Sequence, residues 1–309
     1  MLASFRSDAR PFAAAGNRIE WPTLALAVVV YPLFGLLTWW HDALAWWIIV
    51  PLAGYLICLH GSMQHEAVHR HPTPWPLVNE ALVFPSLWLW MPFRVYRETH
   101  LAHHRNELLT DPREDPESYY VTPQVWAGMG PLGRAVLVAN NSFLGRLVLG
   151  PLVAVWRHWT DEIARLGRGD RRHLVPWGLH LGGCALTLAW VLGVCRIPLG
   201  DYVLLYVYPG LALTLVRSFL EHQAHPEVER RSVLVEAGSV MSLVFLNNNL
   251  HALHHAHPDV PWYRLPALYR ARRNELLAEN GGYRYGGYLE IARRYLLSPK
   301  EPVLHPYSL

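Results

Sequence analysis

Long apolar runs with almost no charge alternate with polar, arginine-rich stretches along this chain. Two runs lie close together at residues 21–40 and 43–60, and two more follow at residues 174–195 and 202–220. About 20 apolar residues are enough for a helix to cross the hydrocarbon core of a bilayer. The pattern therefore predicts four membrane-spanning helices. Because the connections within each pair are short, we expect two helical hairpins.

Arginine is unevenly distributed around these runs. The two tight turns together contain one arginine, Arg196, whereas the N-terminal arm and the stretches at 61–173 and 221–309 contain many. Because positive charge marks the cytoplasmic side of spans, both termini and these stretches are predicted to be cytoplasmic. The predicted fold is all-α: a single polytopic membrane domain over residues 1–309 with a cytoplasmic helical cap. Buried helices of a soluble protein are the weaker alternative.

Three weaker apolar runs occupy residues 81–93, 135–156 and 232–246. They are short or interrupted by polar residues, so we predict interfacial or protein-packed helices there. A fifth span at 135–156 stays open as an alternative. Residues 1–20 lack a continuous apolar stretch and a cleavage pattern, so no signal peptide is predicted.

Composition narrows the classes of function. Apolar residues make up 52% of the chain and charged residues 17%, which excludes a disordered protein. A net charge of +3 gives no reason to expect a nucleic-acid partner. The 3 cysteines all lie in apolar runs and are read as buried small residues. The unusual number is 18 histidines, which indicates a metal site.

Most histidines are concentrated in four short windows. One window holds an HxxxH box and two hold HxxHH boxes: His65 and His69; His100, His103 and His104; His251, His254 and His255. On a helix, positions i, i+3 and i+4 lie on one side. Imidazole nitrogen suits iron, zinc, copper and nickel, and eight such ligands exceed the need of one ion. The boxes therefore predict two metal ions close together.

Other histidines are assigned by their position relative to the boxes. His222 follows the last span directly and is predicted as a ninth ligand. Four histidines flank the boxes and are either further ligands or groups that orient ligands: His60, His71, His225 and His257. Five scattered histidines are expected to be structural: His41, His158, His173, His180 and His305.

The first box also fits a different metal motif. His65, Glu66 and His69 form HExxH, the zinc-peptidase pattern in which the glutamate acts as general base. That interpretation needs only one metal and leaves both HxxHH boxes without a role. We therefore rank a membrane zinc peptidase well below a centre with two metals.

With its three boxes, the chain resembles the membrane fatty acid desaturase and hydroxylase superfamily over roughly residues 20–270. The resemblance implies two iron ions, O2 as co-substrate, and removal of hydrogen from an unactivated C–H bond. It also implies that His222 is a ligand, because desaturases place an additional iron ligand after the last span.

Three further segments are similar to this superfamily. The run Asn247, Asn248 and Asn249 precedes the third box, and the acidic loop at 110–118 follows the second box as in many bacterial members. The asparagines are therefore predicted to be possible ligands or groups that orient ligands. The same role is predicted for nearby carboxylates, above all Glu66, Asp111 and Asp115, and also Glu98 and Glu221.

The resemblance also sets expectations for partners and location. The chain carries no haem domain and no CxxC pair, so electrons are expected from a separate ferredoxin-type or rubredoxin-type protein with its reductase. The substrate is expected to be a lipid drawn from the bilayer. A bacterial inner membrane is the expected location, with the active site on the cytoplasmic side.

The favoured function is a fatty acyl lipid desaturase that introduces a C=C bond. The alternative is a hydroxylase or ketolase that acts on a carotenoid, an alkane or another lipid through the same site. The boxes do not separate these two outcomes, because one oxidant supports either. A membrane metal-binding protein without catalytic activity is a further alternative.

Overall fold

The computed structural model describes residues 19–307. The expectation that residues 1–20 form no signal peptide falls almost wholly on residues 1–18, outside the described part. Helices dominate the rest. In chain order they are α1 (Trp21–Trp39), α2 (Trp46–Val68), α3 (Pro76–Leu82), α4 (Phe93–His103), α5 (Pro123–Gly128), α6 (Pro131–Asn140), α7 (Phe143–Gly167), α8 (Leu174–Leu188), α9 (Leu199–Tyr202), α10 (Tyr208–Glu221), α11 (Ser239–Val244), α12 (His251–Ala256), α13 (Leu265–Glu279) and α14 (Tyr288–Tyr295).

Short elements connect or extend these helices. Two-residue strands β1 (Leu234–Val235) and β2 (Arg284–Tyr285) pair in parallel, with Leu234 opposite Arg284. π-Helical turns at Ala189–Val194 and Val203–Val207 extend α8 and precede α10. Three 3-10 turns complete the described secondary structure: His41–Ala43, Asn106–Leu108 and Val228–Arg230.

Four helices are long and apolar enough to cross a membrane: Trp21–Trp39, Trp46–Val68, Leu174–Val194 and Leu199–Glu221. The prediction of four spans is therefore confirmed, while the hairpin arrangement and the cytoplasmic side stay predictions. The second helix extends eight residues beyond the predicted end at residue 60. Those added residues are buried, so their polar side chains do not face lipid.

The weaker apolar runs have mixed outcomes. Residues 135–156 are divided between α6 and α7, and no fifth span is found in the described part of the chain. The prediction of a helix over 81–93 is wrong, because α3 ends at Leu82 and the next helix begins at Phe93. Pro85 and Pro92 disfavour helical conformation in the residues that precede them. The prediction of one helix over 232–246 is also wrong.

Residues 232–246 instead form β1 and the short helix α11. Val233, Leu234 and Val235 are fully buried, as expected for an apolar strand enclosed on both faces. Gly238 adopts extended backbone at the start of α11 and separates the two elements. The apolar run was therefore real, but its first residues pair with β2 rather than continue a helix.

The chain forms two compact units. We call residues 19–98 and 150–215 the span unit, and residues 99–149 and 216–307 the HxxHH unit. The core of the span unit consists of buried apolar and aromatic side chains from several helices, including Phe34, Ile57, Val191, Tyr202 and Tyr206. Its outward helix faces carry exposed apolar residues such as Val28 and Leu204, as expected for surfaces in contact with lipid.

Close helix packing inside the span unit depends on glycine. A Cβ atom added at Gly210 would lie 2.4 Å from Ile57 Cγ2 and 2.6 Å from Ile57 Cβ. Gly54 likewise faces Pro209, where an added Cβ would lie 3.2 Å from the proline Cβ. Small residues of this kind let helix backbones approach closely in membranes, where van der Waals packing drives association.

A separate core lies in the HxxHH unit, around α12 and α13. Leu250, Leu253, Leu265 and Leu268 are buried together there. With only six residues, α12 is too short to be stable by itself, so its helical state depends on this packing. The Ala252 N–H also donates to the Val233 carbonyl at 2.9 Å, which ties α12 to the chain beside β1.

We expect Gly210→Ala to destabilise the protein by about 1–3 kcal/mol, because overpacking forces the helices apart. The added methyl group meets the branched Cβ of a fully buried Ile57, which rotation about χ1 cannot move. Gly193→Ala is the matched control, since it lies in another span and nothing lies within 4 Å of its added Cβ. Thermal unfolding in detergent measures both variants, and equal melting temperatures would contradict the packing argument.

Candidate metal centre

The two HxxHH boxes lie on helices in the HxxHH unit. His100 and His103 are in the last turn of α4, and the His104 N–H donates to the His100 carbonyl at 3.1 Å, which continues the helical turn. The third box begins α12 and supplies all its histidines from six residues. His222 follows α10 directly. Helical spacing therefore presents the histidines as the sequence predicted.

Seven of the histidines in this unit sort into two groups. Ring nitrogens of His100, His104 and His254 lie within 4.8 Å of one another. Those of His103, His222, His251 and His255 form a second group within the same limit. Each HxxHH box therefore contributes to both groups, with its i and i+4 members in one and its middle histidine in the other.

Ring nitrogens inside each group approach one another closely. His222 Nε2 lies 2.9 Å from His103 Nε2 and 3.0 Å from His251 Nε2. In the other group, His104 Nε2 lies 3.1 Å from both His100 Nε2 and His254 Nε2. The Nε2 atoms of each group thus converge on a shared space.

Oxygen atoms hold the opposite ring nitrogen, Nδ1, of four histidines. His103 Nδ1 donates to Asp115 Oδ1 at 2.8 Å, and His100 Nδ1 donates to Glu117 Oε1 at 3.0 Å. The amide oxygen of Asn248 lies 2.9 Å from His251 Nδ1, and the Ser232 hydroxyl lies 3.2 Å from His222 Nδ1. A proton kept on Nδ1 leaves Nε2 as a lone-pair donor directed inward.

These nitrogens fit a bound metal ion. Lone pairs about 3 Å apart repel each other unless a cation or a proton lies between them. Two imidazole nitrogens bonded to one metal at about 2.1 Å and at right angles would be about 3.0 Å apart, which agrees with the observed 2.9–3.1 Å. The donor set, nitrogen only and largely buried, suits divalent transition metals.

The acidic loop after the second box is built to orient two of these rings. Thr110 opens it with a φ of 72°, an unusual backbone for a β-branched residue. Its N–H donates to Asp115 Oδ2 at 2.9 Å, and its carbonyl accepts the Ser118 hydroxyl at 2.8 Å. Asp115 Oδ1 also accepts the Glu117 N–H at 2.9 Å. The loop thus holds the Asp115 carboxylate in the position from which it contacts His103.

The three asparagines before the third box have different contacts. Asn247 adopts a left-handed φ of 58°, and its side-chain amide donates to the Trp262 carbonyl at 2.9 Å. Asn248 faces His251, as described above. Asn249 pairs with Val235 through backbone and side chain, at 2.8 and 2.7 Å. Two of the three therefore shape the backbone, and one contacts a histidine ring.

Four rings of the two groups are held neutral. Burial, together with positive charge on His100 and His103, lowers the pKa of His104 to about 2. Burial and neighbouring histidines lower the pKa values of His222, His251 and His255 well below the ordinary range. Neutral imidazole is the form that binds a metal.

His103 is the exception. Burial alone would lower its pKa, but the charges of Glu117 and Asp115 outweigh that effect and raise the pKa to about 9. The effect is mutual, because His100 and His103 hold the pKa of Glu117 well below its usual range. In the metal-free protein at neutral pH, His103 therefore carries a proton that a metal would displace.

The first box lies in the span unit. His65 is in the last turn of α2 and His69 follows its end, and their ring centroids are 4.9 Å apart. Their ligating nitrogens lie within 4.8 Å of each other. Glu66 is buried, with Oε1 3.8 Å from His65 Nδ1. The HxxxH spacing thus places two imidazoles side by side.

The histidines that flank the boxes lie in varied surroundings. His60 is fully buried beside the Tyr31 ring, and His71 pairs with Glu20 at 2.5 Å. His225 Nδ1 accepts the Glu227 N–H at 3.0 Å in a local turn. His257 is buried near Arg272, 3.4 Å from Nη1.

Among the predicted carboxylates, Asp115 meets a box histidine directly, whereas Asp111 accepts the Arg113 and Glu114 N–H groups in its own loop. Glu221 Oε1 lies 3.4 Å from His251 Nδ1, and Glu98 pairs with His173 in the span unit. Sequence reasoning did not single out Glu117 or Ser232. Glu117 was identifiable as the next acid in the same loop, but Ser232 carries no sequence signal.

We expect Asp115→Asn to weaken metal binding by about 10- to 100-fold, because the carboxylate that orients His103 is lost. Asp111→Asn is the matched control in the same loop, since the described side-chain hydrogen bonds of Asp111 are with backbone N–H groups. Zinc titration of metal-free protein in detergent, against a competing chelator, measures both. Equal losses in the two variants would show a general loop effect.

Metal affinity should also rise with pH in the metal-free protein. Because binding displaces the His103 proton, apparent zinc affinity should increase about tenfold per pH unit between pH 7 and the His103 pKa of about 9. Above that pH the increase should stop. The same chelator competition at several pH values provides the measurement, and a flat profile would show that His103 is already neutral at pH 7.

Comparison with known proteins agrees with this geometry. The family model described as fatty acid desaturase matches residues 43–287 of this chain. No curated protein matches it significantly. The matched region contains all three histidine boxes, His222 and the acidic loop. The chain therefore belongs to the membrane fatty acid desaturase and hydroxylase superfamily, and it is an integral-membrane oxidoreductase of that type.

Proposed function

We propose that this protein is an O2-dependent di-iron oxidoreductase that introduces a C=C bond into a fatty acyl lipid. One observation carries the proposal: seven buried or half-buried imidazoles form two interlaced groups whose Nε2 atoms converge. Two groups that share two boxes suit two metal ions close together. Membership in the desaturase family supports iron as the metal.

The proposed ligands are His65, His69, His100, His103, His104, His222, His251, His254 and His255. The group of His100, His104 and His254 offers three nitrogens, and an octahedral ion accepts more. We propose that His65 and His69 complete its ligand set, since the family pattern pairs an HxxxH box with two HxxHH boxes. The peptidase alternative, which uses only His65, Glu66 and His69, leaves the other seven imidazoles without a role.

A di-iron centre, when bound, supplies O2 activation strong enough to remove hydrogen from an unactivated C–H bond. The chain's own residues prepare the site for it. Asp115, Glu117 and Asn248 keep ring protons on Nδ1 and so direct Nε2 lone pairs inward. Burial excludes water from the imidazoles, which protects a reactive centre from side reactions.

The substrate and electron source are proposed on chemical grounds. Four apolar spans place the protein in the bilayer, where acyl lipids are available without passing through water. Electrons come from a separate ferredoxin-type or rubredoxin-type donor with its reductase. Exposed Arg270 offers positive charge for an acidic donor, whereas Arg273 is paired with Glu236. We propose that this face and the site are cytoplasmic.

Expression in a host of defined lipid composition, followed by whole-lipid mass spectrometry, tests the function. We expect a product lighter by two hydrogens, whereas a gain of one oxygen would establish the hydroxylase or ketolase alternative. His254→Ala should abolish iron binding and product, because His254 is proposed as a ligand. His158→Ala is the control, since His158 contacts Trp90 and Trp177 in the span unit. Full iron content and turnover in His254→Ala would refute the site assignment.

A further inference from the structure

One basic residue of this chain is unlike all the others. Of 27 lysines and arginines, Lys300 is the only lysine. Its side chain is also only 2% exposed, although lysine is almost never fully buried. Every other basic residue is an arginine, whereas the one lysine has a buried side chain. This contrast indicates that the position requires an ammonium group.

The Lys300 ammonium is enclosed by three acceptors. Nζ lies 2.8 Å from the His222 carbonyl oxygen, 2.8 Å from Glu301 Oε1 and 3.2 Å from the Tyr119 hydroxyl oxygen. These match the three N–H donors of an ammonium. The rings of Tyr119 and Tyr283 flank the charge, with centroids at 5.8 and 5.6 Å. A planar guanidinium, with donors spread over a fork, does not fit acceptors that converge on one point.

The acceptor that matters for the metal centre is the His222 carbonyl. It receives the Tyr119 hydroxyl at 2.9 Å as well as Lys300. Carbonyls at the end of a helix lack helical partners, and the partial negative charge there favours a cation. Two residues earlier, the Leu220 carbonyl accepts the Tyr283 hydroxyl at 2.8 Å. Lys300 thus supplies N–H donors to a cap on α10, placed where His222 leaves the helix.

The chain around Lys300 is itself fastened to the HxxHH unit. We call residues 299–305 the C-terminal strap. The Lys300 N–H donates to the Asn141 carbonyl at 2.8 Å, and the Val121 N–H donates to the Val303 carbonyl at 3.0 Å. His305 Nε2 lies 3.1 Å from the Thr110 hydroxyl, at the start of the acidic loop. The strap lies beyond residue 287, where the family match ends.

We propose that Lys300 is a positioning residue for the metal centre. By fixing the carbonyl of His222, its ammonium holds the His222 ring with Nε2 against those of His103 and His251. None of the described hydrogen bonds of Lys300 is with a ring nitrogen of the group. This inference rests on the proposed function, because it takes His222 as a metal ligand.

The test is metal retention by variants purified in detergent. Lys300→Met keeps the length of the side chain but removes the charge and the donors. We expect its iron content to fall by about half and its metal affinity by about 10- to 100-fold, because His222 belongs to one of the two groups. Lys300→Arg should not restore the iron. Arg293→Met is the control, since it removes one exposed positive charge elsewhere in the same unit.

A second variant covers the case in which Lys300→Met does not fold. Tyr119→Phe keeps the ring but removes one of the two donors to the His222 carbonyl. We expect faster iron release to a chelator than from the parent protein, with an unchanged release rate in Arg293→Met. Parent-like release from Tyr119→Phe, in a protein whose Lys300→Met variant does not fold, would overturn the proposal.

His222→Ala separates the two proposals. If His222→Ala loses iron while Lys300→Met keeps all of it with parent-like release, the positioning role is wrong and the proposed function stands. If His222→Ala itself keeps all its iron, His222 is not a ligand, and both its place in the metal centre and the role of Lys300 fall. Loss of iron in both variants, with the optical spectrum of the remaining iron alike in the two, supports the positioning role.

Discussion

Seven imidazoles in one compact unit bring acceptor nitrogens to about 3 Å from one another, an arrangement that is unfavourable without positive charge among them. Such a cluster persists only if its surroundings fix the rings. Two carboxylates, an amide and a hydroxyl hold the outer nitrogens, and the backbone around them includes turns with unusual dihedral angles. The contacts around the rings therefore serve to keep the nitrogen lone pairs in place. This is a general way to build a site, in which local strain is stored where function requires it.

The helix that carries the third box is too short to be stable independently. A six-residue helix and two-residue strands depend on a small apolar core and on backbone pairs between distant parts of the chain. The spans of the other unit are different, because long apolar helices satisfy their own backbone in lipid. The protein thus combines long helices, which satisfy their own backbone hydrogen bonds, with a unit that is stabilised by backbone hydrogen bonds between distant parts of the chain.

The apolar pattern predicted much of this fold from the sequence. Run length identified four spans, since hydrophobicity and length decide membrane insertion largely without tertiary contacts. The end of α2 was missed because Gly61 to Val68 include polar side chains that are buried in protein rather than in lipid. The run at 81–93 was wrongly predicted to be a helix because its apolar composition was given more weight than its two prolines. In the first case the packing partner, which sequence does not show, decided the outcome, whereas in the second the two prolines were visible in the sequence.

The candidate site was predictable in identity but not in arrangement. Spacing selected the box histidines and indicated the family resemblance, and the family match confirms the resemblance. The sorting of each box into two groups depends on how α4, α10 and α12 meet. Ser232 and Lys300 were not identifiable, because their contacts with His222 join residues 10 and 78 positions apart. Glu117 needed the loop conformation, in which Asp115 accepts its N–H and the carboxylate turns to His100.

The interlacing of the two boxes has a consequence for how the centre is assembled. Since each box supplies ligands to both groups, an ion bound in one group fixes the helices that present the other. Linkage then requires the two binding events to be coupled, with the first ion lowering the ordering entropy that the second must overcome. In the proposed di-iron protein, an ion bound in one group would therefore strengthen the binding of an ion in the other.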